Sequence, residues 1–164
     1  MDWMNSKNKK KELKSWLDLI SNKLKHNEEI SLTILTGSMS PLLEPGDSVK
    51  IKPAQCVCCH IGDIIVFRQG QKLTAHRLIF RFAFGKVCIL YQKGDVNRLG
   101  NFIQLHQIAG KVTGVIKKNN NKEIYLNKVE NRKIAQKQLL KTAFFFLLLI
   151  GKKFLLGIKN TLIR

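Results

Sequence analysis

Trp16, Leu17, Ile20 and Leu24 follow Leu13 at +3, +4, +7 and +11, one stripe of an α-helix. Lys7, Lys9, Lys10, Lys11, Lys14, Lys23 and Lys25 fall mostly off that stripe. A narrow apolar line with basic flanks predicts an N-terminal amphipathic helix laid on the surface of a folded domain, a basic helix at a membrane interface being the other reading. The pattern changes after residue 29. Ile30–Leu35, Ser48–Ile51, Asp63–Arg68, Ala75–Phe82, Val87–Gln92 and Ile108–Ile116 are short runs rich in Ile, Val and Phe, punctuated by Gly, Pro and Asp. Such runs, with no helical stripe between them, predict a mainly β, antiparallel domain and exclude a parallel βαβ sheet. The polar triplet Asn119-Asn120-Asn121 is expected to close it. Three parts follow: a helix over residues 1–29, a β domain over 30–118 and an extension over 119–164.

The extension is expected to turn helical near Val129 and becomes strongly apolar from Leu139. Ala143–Ile150 is an unbroken apolar run, followed by Gly151, Lys152, Lys153 and then Phe154–Ile158. A spanning helix needs about 20 apolar residues, and each lysine near the bilayer centre costs roughly 2.5–3.5 kcal/mol. Lys141, Lys152 and Lys153 therefore argue against a span. On a helical wheel Lys141, Lys152 and Lys159 gather opposite a broad Phe/Leu face, the pattern of a C-terminal amphipathic helix lying in a membrane interface. A helix packed on a partner protein is the other reading of the same face.

Charge sharpens this division. The chain of 164 residues has 29 Lys+Arg against 11 Asp+Glu, a formal net charge of +18. Residues 111–164 hold 13 basic and 2 acidic residues, whereas residues 26–110 hold 9 and 6. An anionic partner is implied, and its place is the extension. An anionic membrane surface met by residues 129–164 is the expected partner. Nucleic acid is not, because 29 residues ahead of the β domain are too few for a helix-turn-helix unit. Cys56, Cys58 and Cys59 crowd too closely to cross-link a useful loop, and Cys88 stands alone. Reduced thiols, no uninterrupted apolar leader and a basic tail together predict a cytoplasmic protein, peripheral on a membrane. Cys56-Val57-Cys58-Cys59-His60 has no second ligand pair at finger spacing, so no metal and no cofactor are expected.

Candidate chemistry begins at Thr36-Gly37-Ser38-Met39-Ser40-Pro41, where a strand ends and the chain turns through a serine before Pro41 bars a helix. A serine on such a corner can present its hydroxyl and its backbone N–H together. Three further segments follow in order: Gly62-Asp63-Ile64-Ile65-Val66-Phe67, then Thr74-Ala75-His76-Arg77-Leu78, then Gln92-Lys93-Gly94-Asp95-Val96-Asn97. The series, over about residues 30–116, resembles the S24/S26 serine peptidases, which include the signal peptidases I and the LexA-like proteases. It is most similar to the signal-peptidase branch with a Ser-His arrangement, the endoplasmic-reticulum and archaeal type.

The resemblance implies an S24/S26-like antiparallel β domain in which Ser38 is the nucleophile and His76 the general base. The Ser38 N–H and the Thr36 hydroxyl would form the oxyanion hole. An imidazole suits the role because its ordinary pKa of about 6.5 leaves it mostly neutral at pH 7. The family's orienting acid has no counterpart in Arg98-Leu99-Gly100-Asn101. Asn101 could orient the imidazole instead, and Asp95, which resembles a structural turn residue in the family, is the remaining carboxylate nearby. Ser40 is the rival hydroxyl, in the family's variable position. The implied substrate is an extended precursor or signal-type peptide with small side chains near the scissile bond. A catalytically weak peptide-binding module of the same fold is the alternative, and a LexA-like regulator a more distant one. Asp47 and Asp63, each after a glycine, are expected to shape turns. His60 and His106 are expected at the surface.

Overall fold

The computed structural model describes residues 2–54, 59–84 and 87–161. The apolar stripe lies in α1 (Asp2–Lys25). Leu17, Ile20 and Leu24 are buried from it, with Trp16 half exposed at its edge. The helix stops where Asn27 takes a positive φ of 64°, a conformation Asn tolerates better than most residues.

Among the described residues eight strands follow: β1 (Ile30–Thr33), β2 (Ser48–Pro53), β3 (Ile64–Gln69), β4 (Lys72–Phe84), β5 (Val87–Lys93), β6 (Asn101–Ile103), β7 (Ile108–Ile116) and β8 (Glu123–Tyr125). They form one antiparallel sheet in the order β1-β2-β7-β3-β4-β5-β6, with β8 added to β7. The mainly β class is as expected. β6 and β8 were not, because three residues carry no readable alternation. The Asn119–Asn121 segment does not close the domain. It turns the chain back so that Ile124 pairs with Val115, and Glu123 of β8 accepts a 2.6 Å bond from Lys50 of β2. The boundary expected after residue 118 therefore falls inside a hairpin.

β3 explains the unbroken apolar run Ile64–Phe67. Ile64 and Val66 pack with Ile20 and Leu24 of α1 and with Met39 and Leu43, while Ile65 and Phe67 pack with Leu78, Leu90 and Ile103. Covered on both faces, this strand is a rigid neighbour for β4, to which it is paired from Ile64↔Arg77 to Gln69↔Lys72.

The last element is α2 (Lys128–Thr161), seated on β4. Its start agrees with the expected helix near Val129. Among the residues whose burial is described, Asn131, Ala135, Gln138 and Thr142 are its buried positions, at steps of four, three and four. Among the described residues no helix is long and apolar enough to cross a membrane.

Candidate active site

Ser38 stands at the head of a turn that leaves β1 through Ile34–Gly37. The turn is held from beneath. Met39 is 2% exposed and Leu43 is fully buried, so the residues beside Ser38 are plugged into the core. Ser40 N donates to Gly37 O and Leu43 N to Met39 O, both at 3.0 Å. Asp47 secures the far side. It is 3% exposed, and its carboxylate takes bonds from Glu44 N, Lys118 N and Lys117 Nζ. Asp47 thus shapes a turn, as does Asp63, which accepts from His60 N at 2.9 Å.

His76 comes from β4, opposite Ile65 of β3, with its ring 6.0 Å from that of Phe67. Its Nε2 lies 3.1 Å from Ser38 Oγ, and its Nδ1 lies 2.6 Å from Gln92 Oε1. An amide oxygen only accepts, so the Nδ1 hydrogen points to Gln92 and the Nε2 lone pair faces the serine hydroxyl. That is the tautomer a general base requires. Burial holds the imidazole below the ordinary histidine pKa of 6.5; the bond to Gln92 and the charge of Asp95 oppose this without cancelling it.

Gln92 corrects the expected orienting groups. It is 2% exposed on β5 and takes the one hydrogen that Nδ1 has to give. Asn101 is exposed on β6 as the cross-strand partner of Gln92, one strand farther from the histidine. Asp95 is engaged elsewhere, accepting Arg77 Nε at 2.8 Å and Arg77 Nη2 at 2.7 Å as a two-pronged pair. Arg77 is completely buried, and its remaining bonds go to Gly62 O and Asn131 Oδ1. Asp95 therefore neutralises a buried arginine one residue from the histidine. Gln92 was missed because nothing in its strand separates an amide on the domain face from one aimed at a ring. The available signal was a polar residue ending an apolar strand next to the Lys93-Gly94-Asp95 segment.

The remaining residues of that segment each have a physical reason. A Cβ on Gly94 would lie 2.7 Å from Ser38 O and 3.1 Å from His76 Nε2, so only glycine lets the loop approach. Val96 N donates to Ser38 O at 3.2 Å. Lys93 is buried, with Nζ bonded to Gln138 Oε1 at 2.7 Å and Thr142 Oγ1 at 3.4 Å on α2. Gln138 Nε2 returns a bond to Asp95 O at 2.9 Å. The loop touching the serine is thus tied to the C-terminal helix.

A cleft of about 380 Å³ opens at Ser38. One wall is Thr33–Thr36 and the other Lys72–Ala75, with Met39, Val49 and Val66 in its floor and Trp16 among its lining residues. Ile34 still donates to Asp47 O and accepts from Gly46 N, but Leu35 and Thr36 join no strand pair among the described residues, and β4 begins to pair with β5 only at Arg77. Two stretches of unpaired backbone edge therefore flank an apolar trough. Thr36 lines it beside Ser38, and no acceptor among the described residues takes the Ser38 amide.

Ser40 is half-buried two positions on from Ser38. His60 and His106 are exposed, away from this constellation. Cys59 is buried and Cys88 half-buried, while Cys56 and Cys58 lie outside the described residues. Among the described residues no group of three or more His, Cys, Asp or Glu is placed to hold a metal. No protein-family model matches this chain, and the comparison with curated proteins found no match.

Proposed function

We propose that the protein is a serine endopeptidase of the S24/S26, signal-peptidase-like kind, acting on an extended precursor or signal-type peptide. The observation that carries the reading is the relay Ser38 Oγ–His76 Nε2–Gln92 at the end of an apolar cleft. An extended peptide entering that cleft finds backbone partners on both unpaired edges, the geometry of strand addition. Its scissile carbonyl meets Ser38. The Ser38 hydroxyl proton moves to His76 Nε2 as Oγ bonds to the carbonyl carbon. The Ser38 N–H and the Thr36 hydroxyl stabilise the oxyanion. His76 returns the proton to the leaving amine, and the C–N bond breaks to leave an ester on Ser38. Water then gives its proton to the same nitrogen, attacks the ester and frees the enzyme.

A peptide library incubated with the protein and read by mass spectrometry tests this. Cleavage should occur with the native protein, persist in Ser40→Ala and fall by at least about a thousandfold in Ser38→Ala and in His76→Ala. Full activity in Ser38→Ala removes the assignment. The neutral Gln92 favours one second reading, a peptide-binding module with little turnover, since an amide stabilises an imidazolium less than a carboxylate does. Peptide binding without cleavage at any pH would select it.

A further inference from the structure

Seen from the domain, α2 is built inside out. The stripe it buries, Asn131, Ala135, Gln138 and Thr142, is mostly polar, and each polar member is matched: Asn131 with Arg77, Gln138 and Thr142 with Lys93. The stripe on the opposite side, again at steps of four and three, reads Lys133, Lys137, Leu140, Phe144, Leu147. Leu140 is 72% exposed, Phe144 64% and Leu147 68%; Phe146 and Leu139 are also exposed, on the flank nearer the buried stripe. A helix that docks a domain in water normally does the reverse, apolar side in and polar side out. The polar docking here is specific, so the apolar face is not the domain's to cover.

The charge along the same helix identifies what covers it. Lys128, Arg132, Lys133, Lys137 and Lys141 are all exposed, and no carboxylate among the described residues pairs with them. Glu130 is the helix's single acidic residue up to Thr161. Long basic side chains that ring and precede an apolar surface can lie with their stems along it and their charges in an anionic layer. A neutral apolar pocket on another protein would leave these charges without partners. A headgroup layer of acidic lipids satisfies both features at once.

We propose that the outer face of α2, Leu140, Phe144 and Leu147 with the lysines around them, docks the protein onto an anionic lipid bilayer in the plane of the interface, while the buried face keeps the Lys93–Asn97 loop in place. This does not depend on the chemistry at Ser38.

The test is sedimentation of the full chain with vesicles of phosphatidylcholine alone or mixed with phosphatidylglycerol. The native protein should pellet with the mixed vesicles, bind neutral ones at least about tenfold more weakly, and release as salt rises from 0.05 to about 0.5 M, because screening shortens the reach of the headgroup charge. Phe144→Glu combined with Leu147→Glu should abolish pelleting and leave the melting temperature and any cleavage of a soluble peptide unchanged, since both side chains are exposed. Pelleting by the double variant equal to the native protein would overturn the proposal. So would equal binding to neutral vesicles, or no vesicle binding with concentration-dependent self-association through this face. Absence of peptide cleavage by the native protein would count against the peptidase reading alone.

Discussion

At His76, burial and the neighbouring amide together set where the proposed peptidase would begin to work. The imidazole must be neutral to accept the Ser38 proton, so kcat/KM should rise as the pH climbs through its pKa. Burial outweighs the bond to Gln92 and the charge of Asp95, so that rise should lie below the ordinary histidine value of 6.5. The sequence had placed it at that value, because burial of the ring was not readable there. Gln92→Glu would set a carboxylate against Nδ1, stabilise the imidazolium, move the rise to higher pH and raise the plateau. Gln92→Ala would leave Nδ1–H without its acceptor and should lower kcat by about 10²–10⁴-fold. A pH–rate profile of the three proteins checks both. An unmoved profile in Gln92→Glu would show that the amide does not govern the base. Ser38, His76 and Thr36 were legible as motif residues; Gln92 became visible only when β5 was laid beside β4.

At the scale of elements, α2 and the Lys93–Asn97 loop act as one unit. Gln138 is the joint, accepting from Lys93 Nζ and donating to Asp95 O. Gln138→Ala leaves a buried ammonium with only the longer Thr142 contact, and burial already holds the Lys93 pKa below its usual 10.5. The expected loss of stability is about 1–3 kcal/mol by urea unfolding. Gln136→Ala, on the exposed side of the same helix, should stay within about 0.5 kcal/mol. Because Val96 N holds Ser38 O, Gln138→Ala should lower kcat for peptide cleavage more than it raises KM. A fall in stability with unchanged kcat would show that the joint supports the fold and not the serine.

Across the whole molecule, His76 and Asp47 make the fold acid-sensitive in separate windows, and Glu123, held below its ordinary 4.5 by the bond from Lys50, adds to the lower one. His76 has a folded pKa below its unfolded 6.5, so its contribution is complete above that pH and is lost as the pH falls through the lower folded value. Asp47 follows the same sign lower down. Burial raises its pKa, but the Lys117 ammonium and the amides of Glu44 and Lys118 outweigh this, leaving it below 3.8. Its contribution is complete above 3.8 and lost beneath. Urea midpoints should therefore decline first below about pH 6.5 and again in strong acid. His76→Gln should remove the first decline, and Asp47→Asn should lower the midpoint at pH 7 while reducing the second to what Glu123 contributes. A single decline unaffected by either substitution would assign acid sensitivity elsewhere.

Periodic and local features could be read straight from the order of residues. Apolar spacing set α1, the six longer strands and the start of α2, and turn chemistry placed Ser38 on its corner, because these depend on neighbours three or four residues away. The charge division along the chain was equally plain, since it needs only counting. The rest was set by contacts between segments distant in the chain. β6 and β8 exist because β5 and β7 offer them an edge. Asp95 serves Arg77, and Gln92 serves His76, because sheet register brings together residues 18 and 16 positions apart. The direction of α2 was settled the same way: which of its two stripes turned inward depended on a buried arginine and lysine on another element, whose need for partners in a low-dielectric interior exceeds the gain from covering leucine and phenylalanine.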